Sequence, residues 1–173
     1  MLNNERKAVE EVYRDLVVIG DEIVAKVSKT IDKIVNDFKH NFETMSNSEL
    51  SNIMLQLGIE AFYFGQRKDH ALLKQACAEA IYKEGLAKSY NITTGTVANR
   101  QNQAQLDTNE KLLVKLLYDM TANLMKTKLD ETHRLINVIS SVIINRNAEA
   151  KLNAPSMSTN TDTTQKDISS DTF

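Results

Sequence analysis

Two helix-forming stretches of about forty residues each flank a short polar elbow, Gly95-Thr-Val-Ala-Asn-Arg-Gln-Asn-Gln-Ala104. Helices of that length, folded back on each other, make an elongated hairpin. Its apolar seam has to be covered by a neighbour, because helices owe most of their stability to packing rather than to propensity. One Pro and five Gly in 173 residues leave too little punctuation for the turns of an all-β chain. The chain is therefore expected to be all-α: a long antiparallel hairpin with an N-terminal amphipathic helix, coiled-coil-like and oligomeric.

The first helix is expected from about Asn4 to His40. Val9, Val12, Leu16, Ile19 and Ile23 recur at spacings of three and four, and the stripe continues through Val27, Ile31, Ile34 and Phe38. Ser46-Asn-Ser-Glu49 reads as a capping box opening the second helix, from about Glu49 to Ser89. Its first half carries Leu50, Ile53, Leu57 and Phe64. Its second half is built from Ala71, Ala76, Cys77, Ala78, Ala80 and Ala87 among Leu72, Leu73, Ile81 and Leu86. Gly58 and Gly65 share a face seven residues apart, and a bend or break is expected near Gly65.

Thr96 is placed to cap a short helix over 97–105, and Asp107-Thr-Asn-Glu110 is a second capping pattern, opening a helix from about Thr108 to Asn147. This last helix has a bulky stripe, Leu113, Leu117, Met120, Leu124, Leu135, Val138 or Ile139, and Val142, interrupted by Thr127, Lys128 and Glu131. Bulky residues facing small ones complement each other in volume, giving an antiparallel hairpin of ~55 Å. Residues from Asn153 onward are rich in Ser, Thr, Asn and Asp, without the apolar content that offsets ordering entropy, and disorder is expected there. Three segments follow: 1–45, the amphipathic helix; 46–152, the hairpin; 153–173, the polar tail.

Charge is distributed unevenly. Residues 1–60 hold 7 Lys+Arg against 11 Asp+Glu, residues 61–152 hold 13 against 9, and the tail holds 1 against 3. The basic middle either meets polyanions or attracts the acidic front. The charged first fifteen residues and the absence of any long apolar run lead to the expectation of a soluble, cytoplasmic protein with no membrane partner. Cys77, the single cysteine, excludes an internal disulfide and reads as a small buried hydrophobe.

Little in the chain points to catalysis. His40, His70 and His133 lie in separate contexts without metal-ligand spacing, there is no glycine-rich phosphate loop, and no nucleophile has a base and an orienting group. No enzyme activity, cofactor or metal is expected. The suggestive cluster is Ala61-Phe-Tyr-Phe-Gly-Gln-Arg-Lys68. Three consecutive rings span roughly 200° of a helix and cannot share one seam. Rings beside cations suit single-stranded nucleic acid, whose bases stack while its phosphates are neutralised. The alternative is that the rings fill an intramolecular or inter-subunit core. Tyr63 is expected to be the most exposed. Candidate nucleic-acid-binding residues are Tyr63, Arg67, Lys68, Lys74, Arg100, Lys111 and Lys115; solvated faces explain most of the basic residues toward the elbow. The C-terminus, Asp167-Ile-Ser-Ser-Asp-Thr-Phe173, is similar to the acidic, Phe-terminated tip of bacterial single-strand-binding proteins, without their Pro and acidic run. Asp167, Asp171 and Phe173 form either a docking peptide or an idle tail.

From about Leu50 to Arg146 the chain resembles the small helical phage proteins of the UvsY type, recombination mediators. The resemblance is carried by the Ala- and Lys-rich helix before the elbow and by Thr96-Val-Ala-Asn-Arg-Gln-Asn-Gln-Ala104. It continues through Leu106-Asp107 and the helix containing Leu116-Leu-Tyr118, Met125-Lys-Thr-Lys-Leu-Asp130 and Arg134-Leu-Ile136. It implies a ring-like homo-oligomer that binds single-stranded DNA and helps load a recombinase while displacing a single-strand-binding protein. Arg67, Lys68 and Arg100 would then contact DNA. The acidic first helix and the polar tail depart from that pattern. A structural, scaffold or assembly coiled-coil protein of a phage, with no DNA role, is the rival expectation.

Overall fold

Ser46 opens the longest helix as the sequence predicts: its hydroxyl accepts from the Glu49 amide while the Glu49 carboxylate accepts from the Ser46 amide. The computed structural model describes residues 2–153, with side chains from residue 10 onward. It contains α1 (Leu2–Asn41), α2 (Asn47–Ile92), α3 (Val97–Asp107) and α4 (Asn109–Leu152), and no strand among the described residues. The chain is all-α. The expected tail beyond Asn153, with Asp167, Asp171 and Phe173, lies outside the described residues, as does the Val9 side chain.

The hairpin is antiparallel. Asn47 of α2 donates to the side chain of Asn147 at 2.7 Å, Arg146 donates to the Met45 carbonyl at 2.6 Å, and at the far end Gly85 meets Thr108 and Lys111. At 1.5 Å per residue, the 46 residues of α2 run roughly 70 Å. Helix α1 lies parallel to α4 along the same face, with Gly20 against Leu124, Asp32 paired to Lys128, and the chain turning back near Met45 beside Arg146. The molecule is a three-helix bundle, with α3 folded against the end of α2.

One register organises the core. Leu50, Leu57, Phe64, Ala71, Ala78 and Gly85 are all buried at intervals of seven, and their side chains shrink toward the elbow. Facing them are Val24, Ile31 and Phe38 of α1 and Met125, Thr132 and Ile139 of α4, also seven apart. A strict seven-residue period is that of a left-handed coiled coil.

Four details differ from expectation. Helix α2 runs unbroken through Gly58 and Gly65; Gly58 has open space beside it and Gly65 only one ordinary contact, so neither glycine interrupts the ladder. The α1 seam is shifted: Gly20, Val24 and Ser28 are buried, while Val12 and Ile19 are 44% exposed, because the close approach to α4 selects small residues. Asp107 does not cap α4. It ends α3 and accepts from Ser89 and Gln103, tying α2 to α3, while the Thr108 hydroxyl donates to the Ala104 carbonyl. Finally, Cys77 is exposed rather than buried.

Candidate nucleic-acid interface

The ring cluster splits as helical geometry requires. Phe64 faces inward at 2% exposure, while Phe62 and Tyr63 face solvent at 65% and 54%. Phe62, not Tyr63, is the more exposed ring. The two outer rings meet edge to face, with centroids 5.6 Å apart, and share an apolar recess with Met54, Leu55, Gly58, Ile59 and Ile136.

The candidate cations are held in different ways. Arg67 donates to the Val27 carbonyl at 2.8 Å, clamping α2 to α1. Lys68 is half-buried and paired to Asp69 at 3.1 Å. Arg100 donates to the Gly95 carbonyl at 3.2 Å and lies over the Tyr90 ring, 5.4 Å from its centroid, so it fastens the elbow. Gly95 is the one residue of positive φ among those described, +120°, and supplies the turn that presents its carbonyl. Lys115 donates to Asp119 at 2.6 Å; that hydrogen bond holds the ammonium pKa above its ordinary value. All four guanidinium and ammonium groups are thus engaged within the chain.

Lys74 and Lys111 differ. Both are exposed, and they line one groove of about 560 Å³ between α2 and α4, with Leu73, Cys77, Ala78, Ile81, Glu110, Val114 and Tyr118. Tyr63 lies in the other recess, about 16 Å along α2 from Lys74 at 1.5 Å per residue. The seven candidates therefore divide into one exposed ring, two groove-lining lysines and four cations bound within the fold.

Sequence reasoning missed a second apolar row on α2: Leu55, Ile59 and Phe62, then Leu73, Cys77 and Ile81, all exposed. Its spacings of four and three are legible in the chain, but the stronger row at 50, 57 and 64 masks them. The acidic groups shift for local reasons. The Ser46 amide and hydroxyl lower the pKa of Glu49, Lys83 lowers that of Glu79, and Lys88 lowers that of Glu84. Among the described residues no three His, Cys, Asp or Glu side chains are grouped to hold a metal ion, and no helix is long and apolar enough to cross a membrane. Comparison with models of known protein families, with curated proteins and with solved structures finds no match for this chain.

Proposed function

We propose that the protein is a recombination accessory factor, a homo-oligomer that binds single-stranded DNA non-specifically and helps to load a recombinase. The observation that carries the reading is the presence, on one bundle, of two exposed rings, Phe62 and Tyr63, in one apolar recess and of a separate apolar groove lined by Lys74 and Lys111. Among the candidate cations of one copy, Lys74 and Lys111 are the two without a hydrogen bond or ion pair of their own. Repetition in an oligomer multiplies them, and multivalent contact raises avidity without any new contact. No step of this activity requires a catalytic group, and the protein is read as a non-enzyme acting in the cytoplasm.

A second reading, a coiled-coil assembly or scaffold protein with no DNA role, is favoured by a specific observation: Arg67, Lys68, Arg100 and Lys115 are already engaged inside the chain. Titration of a fluorescent thirty-base oligonucleotide at low salt, about 50 mM, separates the two. The first reading predicts binding that weakens steadily as salt is added and is reduced in a Lys74→Glu, Lys111→Glu variant. Absence of binding at low salt removes the DNA role and leaves the assembly reading.

A further inference from the structure

Helix α1 is held to the hairpin by cations from both of the long helices it packs against. Arg67 of α2 donates to the Val27 carbonyl at 2.8 Å, and Lys128 of α4 donates to the Asp32 carboxylate. Gly65 lies against Leu129 across the hairpin, so the two cations stand at one level of the bundle, with α1 bridging them. A third bond follows the same pattern where the first segment ends, Arg146 donating to the Met45 carbonyl at 2.6 Å. In each the donor is a cation of the hairpin and the acceptor an oxygen of residues 27–45.

The Val27 carbonyl is a weak partner for a guanidinium. It is neutral and, inside α1, already accepts from the amide four residues on. Hydrogen bonds to an ionised oxygen are roughly twice as strong as those between neutral groups, so a phosphate oxygen is the better acceptor for Arg67. The apolar grip of α1 over this stretch is also thin. From residue 10 to Asp32 its buried row is Gly20, Val24, Ser28 and Ile31, half of it without a hydrophobic side chain, while Val12, Val18 and Ile19 stay exposed. The other end is better anchored. Phe38 is buried there, its ring 5.5 Å from that of Phe42, three residues before Met45 and its bond to Arg146.

We infer that the hairpin face holding Arg67 and Lys128 is a phosphate-binding face for single-stranded nucleic acid, and that α1 occupies it as an internal cover. Strand and helix compete for the same two cations. When phosphates take them, the arm of α1 up to Asp32 lifts, and the end anchored at Phe38 stays in place. The inference rests on the strand-binding reading above and adds its regulation: Arg67, engaged in the closed form, becomes available as α1 leaves.

Amide exchange of the full-length chain, with and without a thirty-base oligonucleotide at about 50 mM salt, tests this. The expected result is faster exchange in α1 up to Asp32, and slower exchange in α2 around Arg67, once the strand is bound. Exchange in α1 that is unchanged or slowed by bound strand would overturn the proposal and leave the strand-binding reading standing. Asp32→Asn supplies a second arm, because it removes the ion pair and keeps the size of the side chain. Its affinity for the oligonucleotide is expected to exceed that of Asp37→Asn about threefold or more. Asp37 is exposed on the same helix, so the two variants have equal net charge. The gain is expected to vanish in Asp32→Asn, Lys128→Gln, which lacks the freed cation. Equal affinities for Asp32→Asn and Asp37→Asn would likewise overturn the cover without touching the reading. Absence of binding by the wild type and by Asp32→Asn alike would remove both.

Discussion

Glycines carry opposite consequences in this bundle, according to what stands beside them. At Gly20 an added Cβ would lie 3.1 Å from Cδ1 of Leu124 and 3.6 Å from Cγ of Met120, where α1 packs tightly on α4. Gly20→Val is expected to destabilise the fold by about 1–3 kcal/mol through overpacking. At Gly58 nothing lies within 4 Å, so Gly58→Ala is expected to stabilise by about 0.5–1 kcal/mol, the cost of a glycine inside a helix. Urea midpoints of the two variants should move in opposite directions. Asp107 gives a pH-dependent counterpart. Hydrogen bonds first from Ser89 and then from Gln103 hold its carboxyl below the ordinary value of 3.8. A folded value below the unfolded one stabilises the chain above 3.8, and that contribution is lost as pH falls through the lower folded value. Acidification below about pH 4 should therefore lower the urea midpoint more steeply in the wild type than in Asp107→Asn.

Among the helices, what was legible followed from periodicity and caps. The ends of α2, the Thr96 cap of α3 and the buried row through Leu50, Leu57 and Phe64 could be read directly, because burial of large apolar side chains sets the register. The seam was harder to read where it is built from small residues. Gly20, Ser28 and Gly85 occupy positions of close approach and have no hydrophobic signal of their own. Asp107 looked like a cap because local spacing cannot reveal that Ser89, eighteen residues earlier, reaches it first. Arg67 looked free for the same reason, its partner Val27 lying forty residues earlier, whereas Lys68 and Arg100 are held by near neighbours, Asp69 and Gly95, that spacing alone does not single out. Two substitutions gauge these helices. Ser46→Ala removes the side-chain acceptor of the capping box and should cost about 1 kcal/mol. Phe64→Ala empties the widest point of the α2 seam and should cost about 3–5 kcal/mol, read as a lower urea midpoint.

For the whole bundle, the acidic front and basic middle do attract each other in part. Asp32 holds Lys128 and accepts from Ser28 at 2.6 Å, fixing α1 in register along α4. That pairing leaves the outer grooves uncovered, since Val12, Tyr13, Val18 and Ile19 of α1 and Leu55, Ile59, Phe62, Leu73 and Ile81 of α2 remain at the surface. Folding of one copy buries the heptad seam and leaves the second apolar row exposed, and the proposed self-association would cover it. Sedimentation velocity of the full-length chain, without nucleic acid and over a range of micromolar concentrations, tests this most directly. The account predicts species larger than the monomer whose proportion grows with concentration. A single 19.5 kDa species at every concentration would contradict it.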